Sequence, residues 1–237
     1  MINAQCECES QSYTCPVYYR YFNKHSNLFN NKRLCLQKMM PELEENMCEF
    51  YDFSQKYPLI IKNYLTLYKF DAILEYQYLS AVYTVESFAR YVHQDHNYFP
   101  NKEFQQKIVE PLYKYIDQNI ICNNKDCIQR LKNAIKYSNE PSLRSIIKQL
   151  LNNNKDIISQ IINDNLKTLT TNIVDTRNWY THYSKEFEVK AKTGYELYNL
   201  FVKVRILFET CLFRKLHMSD EHIISTIKTT YLLDSRK

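Results

Sequence analysis

The chain has 237 residues, of which 45% are hydrophobic and 24% are charged, as in a globular protein that buries a sizeable core. It contains one glycine and six prolines, and so few turn-forming residues argue against a fold built from tight hairpins. The formal charge of +5 is compatible with a nucleic-acid partner but does not require one. Its longest apolar runs are too short to cross a bilayer, so we expect no membrane partner.

The chain contains eight cysteines, but none of them are spaced as the C-x2-C pairs of a zinc site. The first fifteen residues are polar and lack the apolar stretch of a signal peptide. We therefore expect a cytoplasmic protein with reduced thiols, several of them buried. A metal site at Cys6 and Cys8 is the alternative for the first cysteines.

The chain divides at about residue 40. Residues 1–40 are irregular in pattern, apart from short runs such as 17–22 that can form a strand, and we interpret them as an appendage or the remnant of an upstream domain. Residues 41–237 are predicted to form one helical domain. Pro41 and Pro58 suit the first turns of helices. The clearest helix lies within residues 70–92, where the apolar residues recur at alternating spacings of four and three: Leu74, Tyr78, Ala81, Val85, Phe88 and Val92.

Further helices are predicted at about residues 101–121, 124–137, 142–152 and 155–183, followed by a polar loop over 184–192. Thr193 and Glu196 have the spacing of a capping box for a long helix. That helix has an apolar stripe, and Ser219 caps a last helix that extends to about residue 232. The stripe consists of Leu197, Leu200, Phe201, Val204, Leu207, Phe208 and Cys211. The predicted fold class is therefore all-α.

The main candidate for a functional site is Arg177-Asn178-x3-His182, within the predicted helical stretch Leu169–Tyr183. Asn178 and His182 are i,i+4 neighbours on one helix face, and Arg177 lies roughly 140° around the helix from His182. The long arginine side chain can reach back over that angle. A permanent cation beside a group that titrates near neutral pH suits phosphodiester chemistry without a metal.

Four residues are weaker candidates. Tyr180 and Tyr183 flank the motif and can stack on bases, although core or dimer packing is the simpler interpretation. Lys185 can attract phosphates, or it belongs to an ordinary solvated loop. Glu86 is a candidate supporting acid if it reaches the motif helix, and a surface or salt-bridged glutamate otherwise.

Two histidine pairs are weaker metal candidates. His93 and His96 have a spacing that can hold a metal, but they follow a helix C-terminus, where cations are favourable in any case. His217 and His222 have no thiol or carboxylate partners at ligand spacing. We therefore predict no metal and no cofactor.

Three ordered segments resemble the ApeA-like family of the HEPN superfamily. Leu74–Ser80 with Glu86-Ser87-Phe88 looks like the first core helix of that family, Val174–Tyr183 like its motif helix, and Leu197–Leu216 like the helix that follows. Together the resemblance spans roughly residues 41–232. It implies a HEPN-type helical bundle that acts as a homodimer, in which two motif helices face each other across a shared groove.

The resemblance implies a toxin or antiviral endoribonuclease. In this hypothesis Arg177, Asn178 and His182 are catalytic, and RNA, with tRNA among the candidates, is cut through its ribose 2′-hydroxyl without a metal. An antitoxin or a sensing partner is a further expected partner. Larger family members carry an N-terminal sensing domain, whereas only about 40 residues precede the helical part here. The alternative is a non-catalytic HEPN module that binds RNA or a protein.

Overall fold

The computed structural model describes residues 2–8, 11–17, 43–69, 73–92, 97–120 and 124–232. The first two of these segments are the strands β1, Ile2–Cys8, and β2, Gln11–Val17, which pair antiparallel with Ile2 opposite Val17. Within the predicted strand run 17–22, only Val17 is among the described residues. Pro41, His93 and His96 also lie outside them.

Every element described after residue 42 is helical, which confirms the all-α prediction for this part of the chain. One of the helices contains a π-helical turn at Gln105–Val109, between the α-helical parts Asn101–Phe104 and Glu110–Asn119. The helices are α1 Leu43–Lys56, α2 Pro58–Lys69, α3 Leu74–Val92, α4 Asn101–Phe104 continued through Glu110–Asn119, α5 Lys125–Tyr137, α6 Leu143–Asn153, α7 Lys155–Ile158, α8 Leu166–His182, α9 Lys185–Glu188, α10 Gly194–Lys215 and α11 Asp220–Leu232.

α3 lies at the centre of the bundle and packs against α2, α6, α8 and α10. The predicted apolar seam is confirmed at its four central positions, where Tyr78, Ala81, Val85 and Phe88 are buried, and its outer residues Leu74 and Val92 are half-buried. The apolar stripe of α10 is buried along its whole predicted length, from Leu197 to Cys211. Full burial of a valine, leucine or phenylalanine side chain stabilises the fold by about 1.5–3 kcal/mol, so both stripes contribute to the stability of the bundle.

Three local predictions are wrong. The predicted polar loop over 184–192 contains a short helix, α9, which begins after Ser184. The stretch 155–183 is not one helix: α7 ends at Ile158, and α8 begins after Asn165, whose side-chain oxygen accepts hydrogen bonds from the next turn and so caps a new helix. The capping box before α10 does not form. The Thr193 side chain makes no cap hydrogen bond, and Glu196 instead pairs with the Lys192 ammonium at 3.3 Å.

The packing gathers three helix ends at one end of the bundle. The Tyr78 ring, on the second turn of α3, lies 6.5 Å from the Tyr180 ring near the end of α8. Lys192, two residues before α10, also contacts Tyr180. The last turn of α8 therefore lies beside the first turns of α3 and α10. None of the helices in the described part of the chain is long and apolar enough to cross a membrane.

Candidate active site at the end of the motif helix

α8 carries the Arg-Asn-x3-His motif in its last two turns and is called the motif helix below. The Arg177 guanidinium donates a hydrogen bond from Nη1 to Oδ1 of Asn178 at 3.2 Å, and both side chains are half-buried. His182 is the last helical residue and is exposed. Within the described residues, its side chain has no hydrogen bond or ion pair. The structure therefore brings two of the three motif residues into contact and leaves the imidazole open to solvent.

The motif helix ends in a left-handed residue. Tyr183 has φ of 50°, and its N–H donates to the Trp179 carbonyl at 2.8 Å, which closes the last turn. The Tyr183 ring packs edge-on against the Trp179 ring, with centroids 5.5 Å apart. Tyr183 is nevertheless 69% exposed. Because the chain leaves the helical path at Tyr183, His182 lies at the exposed end of the motif helix.

Tyr78 of α3 lies beneath the motif. It is fully buried, and its hydroxyl donates to the Ile173 carbonyl at 2.7 Å. Burial raises the pKa of Tyr78 above its ordinary value, Tyr180 adds to that rise, and the Arg177 guanidinium opposes it. The sequence identified Tyr78 as a core residue, but its spacing gave no sign of a role beneath the motif.

Tyr180 joins the motif helix to the loop before α10. Its hydroxyl donates to the Lys192 carbonyl at 3.2 Å, and the Lys192 N–H donates to Oγ1 of buried Thr176 at 3.0 Å. Burial raises the pKa of Tyr180, and the charges of Glu75 and Tyr183 add to that rise. In one copy of the chain, the Tyr180 ring packs against Tyr78 and its hydroxyl is hydrogen-bonded. These contacts are those expected of a packing residue. We call the two hydrogen bonds on Lys192 the backbone clamp.

The remaining candidates lie in different places. Lys185 is exposed at the start of α9. Glu86 pairs with Arg90 of its own helix at 2.9 Å, and Arg90 also pairs with Glu140. Within the described residues, Glu86 has no hydrogen bond or ion pair with the motif helix, so its contacts are those of the salt-bridged alternative.

A buried carboxylate on the motif helix lies two residues before Arg177. Asp175 accepts a hydrogen bond from the Arg144 guanidinium of α6 at 2.7 Å, and a second guanidinium nitrogen of Arg144 donates to Thr171. Asp175 is 5% exposed and the Arg144 side chain is about half-exposed. The ion pair therefore joins the motif helix to α6. The sequence gives no sign of this pair, because 31 residues separate its members.

The motif occupies an open surface. A cavity of about 370 Å³ lies elsewhere, beside Ala89 and Arg90, eleven or more residues along α3 from Tyr78. At the helical rise this is roughly 16 Å from the motif end of α3. In the described part of the chain, no three His, Cys, Asp or Glu side chains form a group suited to a metal ion. Of the three cysteines whose side chains are described, Cys48 and Cys127 are exposed and Cys211 is buried, so the expected burial of several thiols holds for one of them.

The fold and the motif together define a helical-bundle protein with an Arg-Asn-x3-His site at one helix end. The model of the Apea-like HEPN family matches residues 79–222, well over half of the chain, and this match includes the whole motif. The chain therefore belongs to the Apea-like HEPN family. No curated protein and no solved structure matches it.

Proposed function

We propose that the protein is a metal-independent endoribonuclease that works in the cytoplasm as a toxin or antiviral effector. The observation that carries the proposal is the arrangement at the end of the motif helix. Arg177 and Asn178 are joined there by a hydrogen bond, and an exposed histidine follows one turn later. Family membership supports the proposal, because HEPN domains are commonly ribonucleases.

The proposed reaction is an attack of the ribose 2′-oxygen on the neighbouring phosphorus. His182 removes the 2′-hydroxyl proton, and the P–O5′ bond breaks as the new P–O2′ bond forms. Arg177 hydrogen-bonds the phosphate oxygens and offsets the negative charge that develops on them. A proton returned to the 5′-oxygen completes the reaction. The products are a 2′,3′-cyclic phosphate and a 5′-hydroxyl.

A homodimer supplies the second proton-transfer group that this reaction needs. One exposed His182 acts as the base, and its counterpart on the second copy donates a proton to the leaving oxygen. The motif residues are half-buried or exposed at one end of the bundle, which leaves room for a second motif helix to complete the groove. An antitoxin or a sensing partner would act by covering or exposing this groove.

The experiment is cleavage of total RNA and tRNA in EDTA by the wild type and by His182→Ala. We expect the wild type alone to cut and to leave cyclic-phosphate ends, with activity reduced at least about 100-fold in the variant. The control is His217→Asn, which changes an exposed histidine outside the motif at φ of 58°, a conformation that asparagine tolerates. DNA of the same sequence should stay intact because it lacks the attacking hydroxyl.

Two results would count against the proposed reaction. Equal cutting by the wild type and His182→Ala would place the activity elsewhere, and equal cutting of DNA would exclude the 2′-hydroxyl as nucleophile. If neither protein cuts, the alternative is a non-catalytic HEPN module that binds RNA or a protein through the same surface. The observation favouring that alternative is that no hydrogen bond among the described residues orients His182 within one copy.

A further inference from the structure

Two exposed tyrosines form a parallel pair at the start of α10. Tyr195 and Tyr198 are 78% and 45% exposed, and they occupy i,i+3 positions on one face of the first turn. Their ring planes are inclined by only 23°, with centroids 6.5 Å apart. The opposite face of the same turn carries Leu197, which is fully buried. The core therefore does not account for these two rings.

The pair lies three and six residues after Lys192, which contacts the motif helix. Tyr195 follows Lys192 by three residues, and the backbone clamp holds Lys192 against Thr176 and Tyr180 of the motif helix. Thr176 directly precedes Arg177. Three residues span at most about 11 Å, so Tyr195 lies within that distance of Lys192 at the end of the motif helix, a separation that a few nucleotides of a bound strand can cover.

The surrounding charge does not favour binding through phosphates alone. The loop after the motif helix carries Lys185 and Lys190, but Glu186 and Glu188 offset them. Lys192 is paired with Glu196. We therefore expect the affinity for RNA at this surface to come largely from stacking of bases on the two rings. Stacking accepts any planar base and releases few counterions, so binding should depend only weakly on salt.

We propose that Tyr195 and Tyr198 form a stacking platform that binds unpaired bases of single-stranded RNA next to the cleaved phosphate. The inference rests on the proposed function, because it assigns to that site the class of substrate it accepts. Bases in a duplex are stacked on their neighbours and present only their edges, so the platform selects single-stranded segments and loops.

The experiment measures binding in the full-length His182→Ala protein, so that the RNA stays intact. A single-stranded 12-mer carrying 2-aminopurine reports affinity by anisotropy and stacking by fluorescence quenching. We expect quenching on binding, and about tenfold weaker affinity with lost quenching for Tyr195→Ala or Tyr198→Ala. Tyr195→Phe and Tyr198→Phe should bind as tightly as the parent, because the ring and not the hydroxyl is required. A duplex of the same sequence should bind weakly.

The matched control is Tyr137→Ala, which removes a tyrosine that is 57% exposed on α5 and should leave RNA affinity unchanged. Thermal melting of each variant verifies that it is folded. Unchanged affinity of the two alanine variants, or equal losses for alanine and phenylalanine, would overturn the platform.

The two proposals fail in distinguishable ways. If the wild type cuts no RNA but the His182→Ala protein still binds and quenches the probe, the nuclease is wrong and the platform stands as a binding site. If the wild type cuts RNA and the alanine variants bind as tightly as their parent, only the platform is wrong.

Discussion

At the scale of single residues, Cys211 and Cys127 differ in their access to solvent, because one thiol is buried and the other is exposed. Cys211 lies on the buried face of α10, where the Asn154 amide donates to its sulfur at 3.4 Å. Burial raises the pKa of Cys211 to about 12, while the Arg214 charge and the Asn154 hydrogen bond oppose that rise. Cys127 is exposed near the start of α5.

We predict that iodoacetamide at pH 8 alkylates Cys127 of the native protein and leaves Cys211 unmodified. The thiolate is the reactive form, and at four units below its pKa about one Cys211 thiol in ten thousand is ionised. Mass spectrometry of the peptides measures the labelling. Protein unfolded in urea is the control and should be labelled at both positions, whereas equal rates in the native protein would contradict the burial of Cys211.

A second prediction at this scale concerns the Arg144–Asp175 pair. Arg144→Ala leaves a buried carboxylate without its partner, so we expect the free energy of unfolding to fall by about 2 kcal/mol. Solvent around the half-exposed arginine keeps the loss from being larger. Urea denaturation measures it. Arg130→Ala, on an exposed arginine of α5, is the matched control and should cost no more than about 0.5 kcal/mol.

At the scale of the elements, the backbone clamp fixes how α10 approaches the motif helix. Thr176→Val keeps the shape of the buried side chain but removes the oxygen that accepts the Lys192 N–H. We expect a loss of about 1–2 kcal/mol in stability. We also expect faster hydrogen exchange at the Lys192 amide, measured by NMR or mass spectrometry. Thr229→Val is the control, because the hydroxyl of Thr229 is exposed and bonds only within its own helix.

Unchanged exchange at Lys192 in Thr176→Val would show that this hydrogen bond does not hold the loop. If Thr229→Val lowered stability by as much as Thr176→Val, the loss would reflect helix propensity rather than the clamp. Comparison of the two variants therefore distinguishes the loss of a tertiary hydrogen bond from a change in helix propensity.

The elements that the sequence predicted best are those with long apolar periodicity. The seam of α3 and the stripe of α10 both follow helical spacing over several turns, and both are buried as expected. The break before α8 was missed because Ile157, Ile158 and Ile162 continue an apolar pattern through it. Only the hydrogen bonds accepted by Asn165 reveal the new helix start.

The candidate site was predictable only along one helix. Arg177 and Asn178 are adjacent in sequence, and their contact follows from local geometry. Tyr78, Lys192 and Arg144 reach the motif helix through contacts between residues far apart in the chain, which no spacing in a single sequence encodes. The assignment of catalytic roles remains a prediction.

At the scale of the whole molecule, the proposed reaction requires two copies of the motif. We predict a solution mass twice the 28.7 kDa of one chain, measured by size-exclusion chromatography with light scattering. Specific activity on RNA should fall as the protein is diluted below the dimer dissociation constant, since a single copy supplies one proton-transfer histidine. Full activity per chain from a monomer would contradict this arrangement, and an inactive dimer would favour the binding module.

Two left-handed residues bracket the loop between the motif helix and α10. Tyr183, with φ of 50°, precedes it, and Gly194, with φ of 52°, ends it; Gly194 is also the only glycine of the chain. Both ends of the loop are set by conformations that few residues adopt, and the clamp holds it at Lys192. In the proposed function, RNA binds beside a loop whose backbone is already fixed at three points. RNA binding should therefore carry only a small entropic penalty for ordering the loop. The affinity should depend on how well the RNA matches this surface and not on a loop that closes over it.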